Sequence, residues 1–218
     1  LQPGKDWFFP YYREKALMVG LGMPLRDIFL HMLSKADDPS GGGRNMSEHF
    51  SSKALRVISP TACTGTQYLQ AVGMAKGVKK EGVDEIVYVS SGEGATSEGE
   101  FWESLNVACL EKLPLLYLVQ DNGWGISATR DEMRAMDAYE YAAGFKGLKR
   151  TRVDGSDFFA SASVMKEAFA FVRSNRSPIL VHARCPLLGH HTSGVRKEWY
   201  RGEDLTVHEV EDPLPRLK

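Results

Sequence analysis

The chain has 218 residues, 43% of them hydrophobic and 25% charged, an ordinary globular composition with length for one core and, by default, one domain. Lys plus Arg (27) nearly balance Asp plus Glu (28), which excludes a broad field that would recruit nucleic acid or an acidic membrane surface, so any polyanion must be gripped locally. Cys63, Cys109 and Cys185 lack a metal-ligand spacing and suit a reducing compartment, and no stretch approaches the roughly 18 apolar residues of a membrane span. The start, Leu1-Gln2-Pro3-Gly4-Lys5, has neither a signal-peptide pattern nor a Met, and reads as the end of a fragment or processed product.

In chain order, residues 15–35 place Leu17, Met18, Leu21, Leu25, Ile28, Phe29, Met32 and Leu33 at helical spacing. Gly20, Gly22 and Pro24 interrupt it, which predicts two short helices. Residues 36–52 are Gly-rich and polar, a long loop of the kind that is often functional. From residue 66 a helix should present Tyr68, Ala71, Val72, Ala75 and Val78 on one face. Residues 85–90 read as a strand, Ser97 to Lys112 as a helix, and Leu115 to Val119 as a buried strand, together a β-α-β unit. Ser97 and Glu100 suggest a capping box, with Phe101, Leu105, Ala108 and Cys109 as the inner stripe. A strand near Lys149 to Val153, a helix from Asp157 to about Arg173 and a strand from Pro178 to Ala183 continue the alternation. The expected fold is therefore α/β, a mostly parallel sheet with helices on both faces. Residues 189–218 are polar and should form a loop and an extended surface segment.

The first strand of the β-α-β unit ends at Ser91-Gly92-Glu93-Gly94 and the second at Asp121-Asn122-Gly123-Trp124, 29 residues on from Glu93 to Asn122. A right-handed crossover brings both carboxyl ends to one edge of a sheet, where open α/β folds bind ligands. Alone, Gly-Glu-Gly is a tight β-to-α turn and Asn122-Gly123 an ordinary turn pair; their placement at both strand ends favours a shared site. Mg²⁺ takes hard oxygens, a few from protein and the rest from phosphate and water, so a carboxylate, an amide oxygen and a carbonyl would suit it. Glycines permit close backbone approach to a bulky anion, and a helix opening nearby would face it with its positive end.

The run Gly92-Glu93-Gly94-Ala95-Thr96-Ser97-Glu98-Gly99, then Asn106, then Asp121-Asn122-Gly123-Trp124-Gly125-Ile126-Ser127 resembles the thiamine-diphosphate motif of 2-oxo acid dehydrogenase α subunits. The Glu at position 93 looks most like the branched-chain type. The resemblance implies that Glu93, Asn122 and the Trp124 carbonyl hold Mg²⁺, and that Gly92, Gly94, Ala95 and Ile126 line the thiamine diphosphate with them. Phe9-Pro10-Tyr11-Tyr12-Arg13-Glu14 resembles the family's Tyr-Arg-Glu segment, which assigns Tyr12 and Arg13 to the cofactor diphosphate. Gln67 to Gly73 resembles the helix after the cofactor-contacting loop and puts Thr64 near the cofactor ring. Val153-Asp154-Gly155-Ser156-Asp157 resembles a turn common in thiamine enzymes, its work here a turn and an N-cap.

Gly189-His190-His191-Thr192 resembles the family's active-site loop. The resemblance makes His191 a cofactor contact and the proton-transferring catalytic residue, with His190 beside it; read alone, a His pair in a polar loop is plain surface. Three positions depart from the family. Leu187 and Gln120 stand where arginines are usual, and the acidic residue usual after the loop Ser is missing, Thr192-Ser193-Gly194 standing there instead. Arg184, Arg196 and Arg201 are possible replacements; His49 could face the cleft, whereas His31, His182 and His208 read as ordinary residues.

The resemblance implies oxidative decarboxylation of a 2-oxo acid with acyl transfer to the lipoyl group of an acyltransferase component. It also implies a β subunit or fused β half that completes the site, in a heterotetramer or a dimer of fused chains. Residues 1–218 would be a single cofactor-binding domain, incomplete at both ends relative to the family, with 189–218 as active-site loop and tail. The setting would be the cytoplasm in a bacterium or the mitochondrial matrix in a eukaryote. Two alternatives stay open: a non-catalytic assembly half with a decayed cofactor site, and a transketolase-like ketol transferase.

Overall fold

A computed structural model describes residues 1–217. Five strands form one sheet: β1 (Trp7–Phe9), β2 (Val87–Gly92), β3 (Leu115–Asp121), β6 (Lys149–Asp154) and β7 (Ile179–Arg184). Their spatial order is β1-β2-β3-β7-β6 and all pairs are parallel. A two-stranded antiparallel ribbon, β4 (Trp124–Gly125) and β5 (Ala128–Thr129), stands apart.

Alternation along the central strands explains the layers. Val87 and Val89 of β2 and Leu115, Tyr117 and Val119 of β3 face one core, shared with Tyr68, Ala71 and Ala75 of α3 (Gln67–Glu81) and Phe101, Leu105 and Ala108 of α4 (Gly99–Leu110). Tyr88, Leu116, Ile179 and Val181 face the other, with Met18 of α1 (Lys15–Gly20), Ile28 of α2 (Leu25–Met32) and Ala168 and Val172 of α7 (Phe158–Asn175). The expected α/β sheet with helices on both faces is therefore present, and β2-α4-β3 is the expected β-α-β unit.

Several expectations need correction. β1 is an addition to the expected strands, because three residues followed by Pro10 carry too short a pattern. The Ser97 capping box does not form: a tight 3₁₀ turn, Glu93–Ser97, precedes α4, and Glu98 takes the N-cap position without a side-chain bond. The tail is not extended but coils through three 3₁₀ turns and a final helical turn, α8 (Pro213–Arg216). Between β5 and β6 lie two unforeseen short helices, α5 (Arg130–Met133) and α6 (Ala138–Tyr141), each opened by a capping box, Thr129 with Glu132 and Asp137 with Glu140. Asp157 caps α7 by accepting from the Ala160 N–H at 2.9 Å, as expected.

The chain runs outward from β1 to β3, jumps to the far edge at β6, and returns inward to β7. The switch point thus lies between β3 and β7, where the Cys185 N–H donates to the Asp121 carbonyl at 2.7 Å. Among the described residues, no helix is long and apolar enough to cross a membrane.

Candidate active site

The end of β2 builds one corner. Glu93 is 2% exposed and spends both carboxylate oxygens on protein donors. Oε1 accepts from Arg134 Nη2 at 2.7 Å and from the Ala138 N–H at 2.8 Å, while Oε2 lies 3.2 Å from His182 Nε2. Arg134 also donates to the Glu93 carbonyl and to Thr96 Oγ1, which ties α5 and α6 to the turn after β2. Asp121, the last residue of β3, brings Oδ2 to 3.6 Å from the same His182 Nε2 and accepts from Arg130 Nη1 at 2.9 Å. Two buried carboxylates, an imidazole and two guanidiniums thus pair in low dielectric, with His182 Nδ1 left without a partner.

The end of β3 builds the second corner. The strand turns through Asn122 and Gly123, whose φ of +78° suits glycine, and Asp121 Oδ1 and Asn122 Oδ1 accept from the N–H groups of Gly123 and Trp124. Asn122 is therefore turned onto its own loop. Ile126 follows with φ +59°, a left-handed conformation that a β-branched side chain strongly resists, and is half exposed.

Trp124 is buried and is the centre of this corner. Its Nε1 donates to Asp204 at 2.7 Å, Tyr200 meets its ring edge-on at 5.1 Å, and the Arg201 guanidinium lies 5.8 Å from the ring centroid. The tail therefore wraps over the end of β3. Arg13 reaches the same corner from after β1: its Nη2 donates to the His191 carbonyl at 2.5 Å and to the Tyr12 hydroxyl at 3.0 Å. His191 is largely buried, and burial first, then the Arg13 charge and, more weakly, Arg201, pull its pKa down to about 4, against a main-chain contact with Trp124. It is neutral at pH 7.

Beneath Arg13, Glu14 is buried with Oε1 accepting from Tyr88 Oη at 2.6 Å and Gln120 Nε2 at 2.9 Å. Burial raises its pKa to about 7, with those hydrogen bonds opposing. Gln120 thus supplies an amide to Glu14 rather than a charge to the cleft.

The sequence-predicted residues separate into groups. Arg13, Trp124 and His191 converge. Gly92, Gly94 and Ala95 line the turn at the end of β2, with Gly94 packed near Gly125 and Met133. Tyr12 is exposed beside Arg13, and His49 stacks on it at 6.4 Å. Thr64 is an exposed turn residue before α3, although its neighbour Gly65 packs on Glu98 and the Ala95 carbonyl. His190 turns outward and accepts from the Lys197 N–H at 3.0 Å. His182 is no ordinary strand residue, since it bridges Glu93 and Asp121; His208 accepts from the Leu187 N–H, and buried His31 pairs with Asp38. The sequence does not mark Arg134, His182 or Asp121 as site residues; Asp121 ends an apolar strand and His182 interrupts one, whereas Arg134 follows α5 and carries no such signal.

A cleft of about 450 Å³ opens at the switch point between Asp121, Asn122, Gly123, Arg184 and Cys185. A second, about 820 Å³ and more open, is lined by Gly123, Trp124, Ser127, Tyr200 and Arg201. Polar groups gathered at the carboxyl edge of a switched parallel sheet define the class, a ligand-binding α/β domain of the doubly wound kind. The chain belongs to the dehydrogenase E1 component family, whose model it matches over residues 1–218.

It is 31% identical over 210 residues to the 2-oxoisovalerate dehydrogenase subunit alpha of Bacillus subtilis, covering 96% of this chain and 64% of that protein. Identity to the mitochondrial 2-oxoisovalerate dehydrogenase subunit alpha of Mus musculus is 30%, covering 98% and 48%. For the pyruvate dehydrogenase E1 component subunit alpha of Staphylococcus aureus it is 29%, covering 98% and 56%. The chain thus spans about half to two thirds of the length of these relatives. A solved Mycobacterium smegmatis protein described as a thiamin diphosphate-dependent enzyme shares the fold, with TM-score 0.54 and 18% identity over 85% of this chain and 30% of its own.

The residues fit the two halves of a metal diphosphate differently. Arg13 and the buried, unpartnered groups around Trp124 suit an anion as they stand. A metal held by Glu93, Asn122 and the Trp124 carbonyl requires Glu93 to exchange Arg134 for the cation and Asn122 to leave the Trp124 N–H.

Proposed function

We propose that this chain is the α part of a 2-oxo acid dehydrogenase that holds thiamine diphosphate at the carboxyl edge of its sheet. The observation that carries the reading is the convergence of Arg13, His191 and Trp124 on the end of β3 in a chain of the E1 family. The family kinship to 2-oxoisovalerate dehydrogenase α subunits favours a branched-chain 2-oxo acid as substrate, with decarboxylation and acyl transfer to a lipoyl group.

When bound, the cofactor supplies the carbanion chemistry; the protein supplies anchoring and proton handling. Arg13 fixes the His191 loop through its carbonyl and keeps further N–H groups for phosphate oxygens. His191, neutral at pH 7, takes up a proton at a ring nitrogen; Nδ1 is buried and unpartnered. Trp124 closes the back of the corner against water. Tyr12, Thr64, Gly92, Gly94, Ala95 and Ile126 would line the cofactor around this frame. Mg²⁺ on Glu93, Asn122 and the Trp124 carbonyl belongs to the same proposal, and no step is routed through it. A β subunit or fused β half would complete the site, and a lipoyl-bearing acyltransferase would receive the acyl group, in the bacterial cytoplasm or the mitochondrial matrix. Residues 1–218 form one domain of that larger enzyme.

The test is kinetic, on the complete enzyme assembled with its partner. Branched-chain 2-oxo acids should be turned over in preference to pyruvate, with lipoyl domains as acceptors and aldoses inactive. Transfer to aldoses, or no turnover of any 2-oxo acid, defeats the reading.

A further inference from the structure

Among the described residues, six bear buried side-chain polar atoms without a hydrogen-bond partner, and three of them, His191, Tyr200 and Arg201, gather around Trp124. Arg201 is the most costly of these. It is 4% exposed, and Nε, Nη1 and Nη2 are all without partners. A guanidinium held in the interior without hydrogen-bond partners is strongly disfavoured. Among the described side chains, Asp204 does not relieve it, being committed to Trp124 Nε1 through Oδ2 and to His208 Nε2 through Oδ1. Arg13 adds a second permanent cation at this corner and is hydrogen-bonded only to neutral oxygens, those of His191 and Tyr12.

We infer that Arg201, with Arg13, forms a two-arginine clamp for a phosphate-class anion, and that the anion is the diphosphate of the cofactor proposed above. The cation–π contact orients the guanidinium but leaves its N–H fork free, and the cleft beside Trp124 that Arg201 lines is open to a ligand. The neutral Gln120 is held by Glu14 and makes no competing claim on the anion. The inference rests on the cofactor reading for the anion's source, and it adds a tail residue to the set that holds it.

The complete enzyme, assembled with its partner, is titrated calorimetrically with thiamine diphosphate, inorganic pyrophosphate and thiamine. Arg201→Gln should weaken the first two by about 10- to 100-fold, the loss of a charge-assisted bond, and leave thiamine unchanged. Arg201→Lys, which keeps the charge without the fork, should fall between. If Arg201→Gln binds thiamine diphosphate as the wild type does, the clamp is wrong and the cofactor reading stands. If wild type binds pyrophosphate through Arg201 but not thiamine diphosphate, the clamp stands and the cofactor reading fails. Binding of neither defeats both. Should Arg201→Gln fail to assemble, a crystal structure of the wild-type assembly with thiamine diphosphate decides: a phosphate oxygen within hydrogen-bond distance of Arg201 supports the clamp, and a guanidinium bonded only to water or protein overturns it.

Discussion

The two corners at the carboxyl edge of the sheet carry similar charges and use them in opposite ways. Around the end of β2, Glu93 finds Arg134, the Ala138 N–H and His182, and Asp121 reaches the same histidine from the end of β3 and finds Arg130, so the carboxylates of this network are satisfied and His182 Nδ1 alone is left over. At the end of β3, His191, Tyr200 and Arg201 surround Trp124 with buried groups left unbonded. A closed network holds shape. An open one stores binding capacity, because its desolvated donors are satisfied only by something else.

Substitutions can break this contrast. The largest effect should come from His191→Ala, with turnover of a 2-oxo acid by the assembled enzyme falling about 10²- to 10⁴-fold if the ring moves a proton, while the melting temperature changes little. Arg134→Ala should do the reverse. It takes the guanidinium from Glu93 and leaves the buried carboxylate with the Ala138 N–H and His182 alone, and the melting curve should show about 3–5 kcal/mol of destabilisation. If Arg134→Ala proves harmless to stability and instead strengthens Mg²⁺ binding, Glu93 is a metal ligand held in check rather than a structural acid.

Two pH dependences sharpen it. Glu14 has its pKa raised by burial from 4.5 to about 7, so the folded state holds its proton more tightly than the unfolded one. Its contribution to stability is full below pH 4.5 and is lost as pH rises through about 7. Glu14→Gln should remove that loss, gaining up to about 3 kcal/mol relative to wild type between pH 4.5 and pH 8 in denaturant titrations. His191 has the opposite sign: its pKa falls from 6.5 to about 4, so the unfolded chain binds the proton first and stability drops as pH falls across that window. The acid limb of kcat/KM should accordingly lie near pH 4 rather than 6.5, and a limb at 6.5 would place His191 in water.

The β-α-β unit was legible because Leu115 to Val119 is a continuous apolar run and Tyr68, Ala71, Val72, Ala75 and Val78 keep helical spacing, signals that local chain physics produces directly. The positions of Glu93 and Asn122 at strand ends followed from the same pattern. Glu93's partners did not, since Arg134 and His182 stand 41 and 89 residues from it, and His182 meets it only when β7 packs beside β3. Ser97 misled for a related reason: the tight turn at Glu93–Ser97 spends the residues a capping box would need. The tail's approach to Trp124 was equally hidden, because a polar stretch such as residues 196–208 carries no periodicity to say what it covers.

The most direct test of the account is a titration of thiamine diphosphate, with Mg²⁺ present, into the complete assembled enzyme and into its Arg13→Ala variant. Saturable uptake by the wild type, weakened at least about tenfold by the substitution, is the predicted result. Equal uptake by both, or none by the wild type, would contradict it.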